Sequence, residues 1–180
     1  YVPSNYNLFL RNNEKINYIS DSEFEFSLHF SEDVGKLSNF ISDVYISDET
    51  VLYGTYNYIE SLKFDLYSPN LAFGNVLLDN VRVEGKDFAG KYRLQVGTEK
   101  VYTETVSFLE NLLLDVSSSP QNLNLDLVWA NNDEKSANAG DIAMNISNDS
   151  VLNYLHLDDS RFEVNGELWT ILSEGAFVFG

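Results

Sequence analysis

Along most of this chain the apolar residues fall at every second position, and that one periodicity decides most of what the chain can become. Phe24, Phe26, Leu28 and Phe30 share one side of an extended backbone, while Glu25, Ser27 and His29 share the other. The same alternation runs through Leu62/Phe64/Leu66, Val81/Val83, Tyr92/Leu94/Val96, Leu112/Leu114/Val116, Leu123/Leu125/Leu127/Trp129, Ile142/Met144/Ile146, Phe162/Val164 and Phe177/Phe179. An amphipathic helix needs a period near 3.6, which is nowhere sustained. The pattern therefore predicts roughly a dozen short antiparallel strands, with turns at Ser68–Asn70, Glu84–Lys86 and Val164–Gly166. Val34–Ser42 and Val106–Leu114 are the two places where a turn or two of helix would fit.

A chain of 180 residues with 44% hydrophobic and 14% aromatic content can bury a core, so an all-β antiparallel β-sandwich or jelly roll is expected, in which two sheets cover each other's apolar faces. The run Asp115–Gln121 (DVSSSPQ) interrupts the alternation. It divides the chain into residues 1–116 and 117–180, or else is a loop within a single sandwich spanning 1–180.

Charge narrows the partners. Eleven Lys and Arg against 28 Asp and Glu leave −17, which disfavours duplex nucleic acid and anionic membrane surfaces. Such a surface attracts hard cations, calcium above all. With no cysteine there is no disulfide, no thiolate nucleophile and no Cys-ligated metal. No apolar run approaches the ~18 residues of a membrane span.

The stretch Phe24–Ser47, with Phe30-Ser31-Glu32-Asp33-Val34 at its centre, resembles the bacterial Ig-like modules of very large extracellular adhesins, and Thr55–Pro69 looks like a later strand of that module. Pro120–Ile171 is similar to bacterial cadherin-like repeats, with Glu134, Gly140, Tyr154, Phe162, Gly166 and Leu168 in the matching places. Where those repeats carry a calcium-binding Asp-x-Asp, this chain reads Asn148-Asp149. The resemblance implies an Ig-like sandwich over residues 1–116, a cadherin-like segment over 117–180, and a place outside the cell or on its surface.

Catalytic motifs are missing: there is no Gly-x-Ser-x-Gly elbow, no His-Glu-x-x-His pair and no phosphate-binding Gly-x-x-x-x-Gly-Lys loop. The two histidines, His29 and His156, fall on the polar sides of alternating strands. Acidic pairs at expected turns, Glu32-Asp33, Asp48-Glu49, Asp133-Glu134 and Asp158-Asp159, are the candidate calcium ligands, since loops can gather carboxylates and carbonyls around one ion. Tyr53, Tyr56 and Tyr58, beside Gly54 and Asn57, are the candidate sugar-stacking platform. The expected function is a non-enzymatic structural or adhesive subunit of a surface protein or filament, self-associating by β-strand addition or joined to neighbouring domains. The alternatives are a carbohydrate-binding module and a virion or phage-tail protein.

Overall fold

The computed structural model of the chain describes residues 23–30, 44–57, 61–88, 90–103, 106–131, 138–149, 152–164, 166–173 and 175–179. Among them stand thirteen strands and no helix: β1 (Phe24–His29), β2 (Val44–Ile46), β3 (Val51–Asn57), β4 (Ser61–Phe73), β5 (Val76–Phe88), β6 (Lys91–Thr103), β7 (Val106–Ser119), β8 (Asn122–Ala130), β9 (Ala139–Asn148), β10 (Asn153–Leu157), β11 (Ser160–Val164), β12 (Glu167–Ile171) and β13 (Phe177–Phe179). Every pairing is antiparallel and all belong to one hydrogen-bonded network. The class is all-β, as the alternation requires. The main path runs β1-β3-β4-β5-β6-β7-β8-β9-β10-β13; β2 lies on β4, and β11 joins β9 to β12.

The register sorts the sequence into two faces. One row across nine strands reads Phe26, Gly54, Phe64, Gly85, Leu94, Val116, Leu125, Met144 and Leu157, each opposite the next. The residue beside each of these gives a polar row on the other face: Glu25, Thr55, Lys63, Lys86, Arg93, Ser117, Asn124, Asn145 and His156. An antiparallel sheet with one apolar and one polar face is the unit from which sandwiches are built. On the apolar face large and small residues interlock. A Cβ on Gly85 would lie 2.2 Å from the Phe64 ring, one on Gly54 2.2 Å from Phe26, and one on Gly140 2.2 Å from Trp129. Each aromatic ring thus lies over the backbone of the next strand, where no other residue type leaves room.

Halfway along β4–β7 the alternation shifts phase. Ser68 and Leu71, Leu78 and Val81, and Thr98 and Val101 are three apart, and the more buried positions of each strand lie on either side of that gap. The extra residue is taken up by left-handed backbone at Asn80 and Asn111, both with φ +51°, a conformation asparagine tolerates better than other side chains do. Because the interruption falls at matching positions, the pairs resume beyond it: Asn70 faces Asp79, Asp79 faces Lys100, and Lys100 faces Glu110. Hydroxyls replace the missing ladder bonds. Thr98 Oγ1 donates to the Asp79 carbonyl at 2.6 Å, with the Lys100 carbonyl also within reach at 3.0 Å, and Ser68 Oγ donates to the Asn70 carbonyl at 2.8 Å. Thr50, Ser68, Val81 and Thr98 at this seam are at most 5% exposed, so each backbone or hydroxyl group there needs its partner.

Several local expectations are corrected. Ser68–Asn70 is no turn but the middle of β4, with Pro69 at the position where the ladder skips a bond. Glu84–Lys86 lies inside β5, its glycine serving the Phe64 contact. Val106–Leu114 is strand and not helix, since it pairs with β6 and, from Leu113 onward, with β8. The run Asp115–Gln121 holds the end of β7 and the two-residue turn Pro120-Gln121, so ladder pairs continue on both sides of 116/117. Val164–Gly166 does end in a turn, with Gly166 at φ +78°. Val34–Ser42 and the N-terminal residues 1–22 lie outside the described residues.

Candidate interaction surfaces

Two surfaces emerge from this register: a basic cleft on the polar face and the free edges of the sheet.

On the polar face Lys63, Lys86 and Arg93 stand directly opposite one another on β4, β5 and β6. Facing cations on adjacent strands repel, and the sheet offsets this with acids one row away. Arg93 Nε donates to Asp115 at 3.0 Å while its Nη2 bonds the same carboxylate, and Gln95 adds a donor at 2.8 Å. The Arg93 bond holds the Asp115 carboxyl below its ordinary value, with partial burial opposing. Lys63 Nζ lies 3.7 Å from Asp65. Lys86 and Lys91 take part in no ion pair among the described residues. The four cations line an open cleft of 660 Å³ with Asp87, Tyr92, Ser117, Ser118, Ser119 and Asn124. Tyr92, at the rim of the cleft, shares the parity of Leu94 on the apolar face, and partial burial raises its hydroxyl above the usual pKa. From the cleft a ladder of polar side chains continues across the sheet: Asn124 Nδ2 donates to Ser117 Oγ at 3.3 Å, and Asn145 Nδ2 to Asn124 Oδ1 at 2.6 Å.

The edges are set by the first and last strands of the path. Phe30 N donates to the Thr50 carbonyl at 2.9 Å. Since N–H directions alternate along a strand, Phe24, Phe26 and Leu28 point theirs toward β3, and Glu25, Ser27 and His29 point theirs outward. Among the described residues no strand pairs with that outer side. β1 carries no proline, lysine or bulge to blunt it. At the opposite end, β12 and β13 follow one another along the outer side of β11 and β10. Their apolar-face residues are open to solvent, Trp169 at 54% and Phe177 at 67%, as are Phe24 and Leu28 on β1 at 52% and 51%.

The residues singled out from sequence are dispersed. Tyr53 lies on the polar face, its hydroxyl pKa raised by partial desolvation and then by Glu25 and Asp65. Tyr56, three residues on, lies on the apolar face and stacks on Phe24 with ring centroids 5.4 Å apart. The structure therefore does not bring these two together. Tyr58 lies outside the described residues, as do Glu32, Asp33, Asp133 and Glu134. Asp48 and Glu49 form the turn between β2 and β3, with Glu49 at φ +68°. Asp158 and Asp159 form the break between β10 and β11, where Asp158 N donates to the Ala143 carbonyl and Asp159 Oδ1 accepts from Ser173 N. Among the described residues, no three Asp, Glu or His side chains converge as a metal site requires. His29 is exposed, and His156 closes the polar row beside Asn145.

What sequence inspection passed over is the cleft. Its visible trace is Lys86, Lys91 and Arg93, three cations within eight residues of an acidic chain, flanking the turn between β5 and β6. Lys63, Ser117 and Asn124 join them only through the register.

No family model matches the chain, and neither does any curated protein or solved structure. No helix among the described residues is long and apolar enough to cross a membrane.

Proposed function

We propose that this chain is a non-catalytic structural or adhesive β-module, a unit of a cell-surface protein or filament that associates along the edge of its sheet. The observation that carries this reading is the outer side of β1, six residues long and unpaired among the described residues, with three outward N–H groups and two half-exposed apolar side chains. Such an edge is a template for a further strand. The surface setting rests on the likeness of Phe24–Ser47 and Pro120–Ile171 to modules of extracellular adhesins.

Ser27→Pro tests it. Proline at this position removes an outward donor and leaves the bonds to β3 in place, and its predecessor Phe26 is already extended. The wild-type chain is expected to form concentration-dependent oligomers or filaments in sedimentation velocity and electron microscopy. Ser27→Pro is expected to leave soluble subunits with an unchanged β-type circular dichroism spectrum. A wild-type chain that stays monomeric throughout, or assemblies that persist unaltered in the variant, would overturn the reading.

A further inference from the structure

We infer that the cleft at Lys63, Lys86, Lys91 and Arg93 is a binding site for a linear anionic saccharide, held by its carboxylate or sulfate groups. The whole chain has 11 basic residues against 28 acidic ones, yet the lining of this cleft has four basic residues and one acid, Asp87. That reversal is concentrated at one end of the sheet. Lys63, Lys86 and Arg93 face one another across adjacent strands, an arrangement that the acids one row away offset only in part and that a bound anion would relieve further. Asp115 bonds Arg93 and also feels the charge of Lys86, and Asp65 answers Lys63, yet neither Lys86 nor Lys91 makes a direct ion pair among the described residues, so their ammonium groups can reach a ligand.

The shape and the neighbouring chemistry identify the class. A volume of 660 Å³ lies within the usual range for ligand sites, roughly 300–1,000 Å³. Ser117, Ser119 and Asn124 in the lining offer hydroxyl and amide groups suited to sugar hydroxyls. Beyond them the polar row continues through Asn145 to His156, so that from β4 to β10 it crosses seven strands, a track on the order of 29 Å at the ordinary strand spacing. A long row of hydroxyl and amide side chains with cations at one end fits an extended acidic oligosaccharide. Single-stranded nucleic acid needs a series of aromatic platforms and fits less well: the row from Lys63 to His156 holds no Phe, Tyr or Trp, and Tyr92 is the one such residue in the cleft lining.

The test is titration calorimetry of the full chain with a galacturonate hexasaccharide, a heparin-type hexasaccharide and neutral cellohexaose, at low and physiological salt. Saturable binding of one or both acidic sugars and none of the neutral one is expected, the two acidic arms telling carboxylate from sulfate recognition. The double variant Lys86→Glu/Lys91→Glu is expected to weaken that binding by about tenfold or more, as loss of charge-assisted contacts should. Lys86→Arg/Lys91→Arg should bind within about twofold of wild type. Arg161→Glu, which reverses one exposed cation elsewhere on the sheet, should do the same. Absence of binding by both acidic sugars would overturn the inference, as would equal binding of cellohexaose or an equal loss in Arg161→Glu. Tighter binding of a single-stranded oligonucleotide would overturn it too. So would self-association that the double variant abolishes, because the cleft would then be an interface for acidic groups of a second copy.

Discussion

The four long central strands and the outer end of the sheet both interrupt the pleat, and they do so with opposite results. In β4–β7 the interruption falls at matching positions, so partners stay opposite one another across it, and only beyond it, between Val101 and Tyr102, does the β6–β7 register slip by one residue. At the outer end β9 runs straight while its neighbour breaks at Asp158-Asp159, so β9 pairs with β10 along one half and with β11 along the other. The last strand is broken as well, into β12 and β13. The central seam is among the most buried parts of the described structure, and the outer end among the most exposed. The shared interruption keeps partners opposite one another, whereas the break at Asp158-Asp159, which β9 does not share, divides the pairing of β9 between two strands.

The two tryptophans measure that contrast most strongly. Trp129 is buried over Gly140, with its Nε1 donating to Asn138 Oδ1 at 2.8 Å. Trp129→Ala is expected to cost about 3–5 kcal/mol in chemical denaturation. Trp169 stacks on Phe162 but is more than half exposed, so Trp169→Ala should cost less than about 1 kcal/mol. Equal losses would show that the edge is as tightly packed as the centre.

Glycines give the next effect. Gly85→Ala puts a methyl group into the Phe64 ring and should cost about 1–3 kcal/mol. Gly97→Ala meets nothing nearer than 3.9 Å and should be neutral or stabilising by a few tenths, about 0.4–1 kcal/mol at most. A neutral Gly85→Ala would break the account of the interlocked apolar face.

The seam itself is sharpened by Thr98→Val, which strips the Asp79 carbonyl of its hydroxyl donor in a buried setting and should cost about 1–3 kcal/mol. The same change at exposed Thr170 on β12 should move the denaturation midpoint little, within about 0.5 kcal/mol.

The smallest effect is one of pH. Arg93 holds the folded-state pKa of Asp115 below the ordinary 3.8, so the pair's contribution is present above that value and fades as pH falls through the depressed one. The stability gap between the wild type and Asp115→Asn should therefore be widest near neutrality and close in strong acid. Salt should narrow it, since Arg93 is nearly half exposed. A gap that does not change with pH would mean that packing, and not charge, explains Asp115.

Much of this was legible in advance. Period two identified the class, and all the apolar sets it picked out from Phe24 to Trp129 lie on one face. The seam was not legible, because Ser-Pro-Asn at Ser68–Asn70 has the composition of a turn. Only the pairs Ser68–Val81 and Asn70–Asp79 on either side show that the strand passes straight through Pro69. The three-residue gap from Leu78 to Val81 carried the same information in a form that a strict period of two discards. Lys63 and Lys86 are far apart in sequence and adjacent in space, and nothing short of the register reveals that. Conversely, Tyr53 and Tyr56 are close in sequence, and their odd spacing sends them to opposite faces.

The central proposal is that the outer side of β1, unpaired among the described residues, takes a second strand. Residue-resolved amide hydrogen exchange of β1, measured from dilute to concentrated protein, tests it most directly. At low concentration Phe26 and Leu28 should be protected by β3 while Glu25, Ser27 and His29 exchange quickly. As concentration rises those three alternate amides should become protected, and no others in the strand should change. Protection of Glu25, Ser27 and His29 that is already complete in dilute solution, or that never develops in concentrated protein, would contradict the claim.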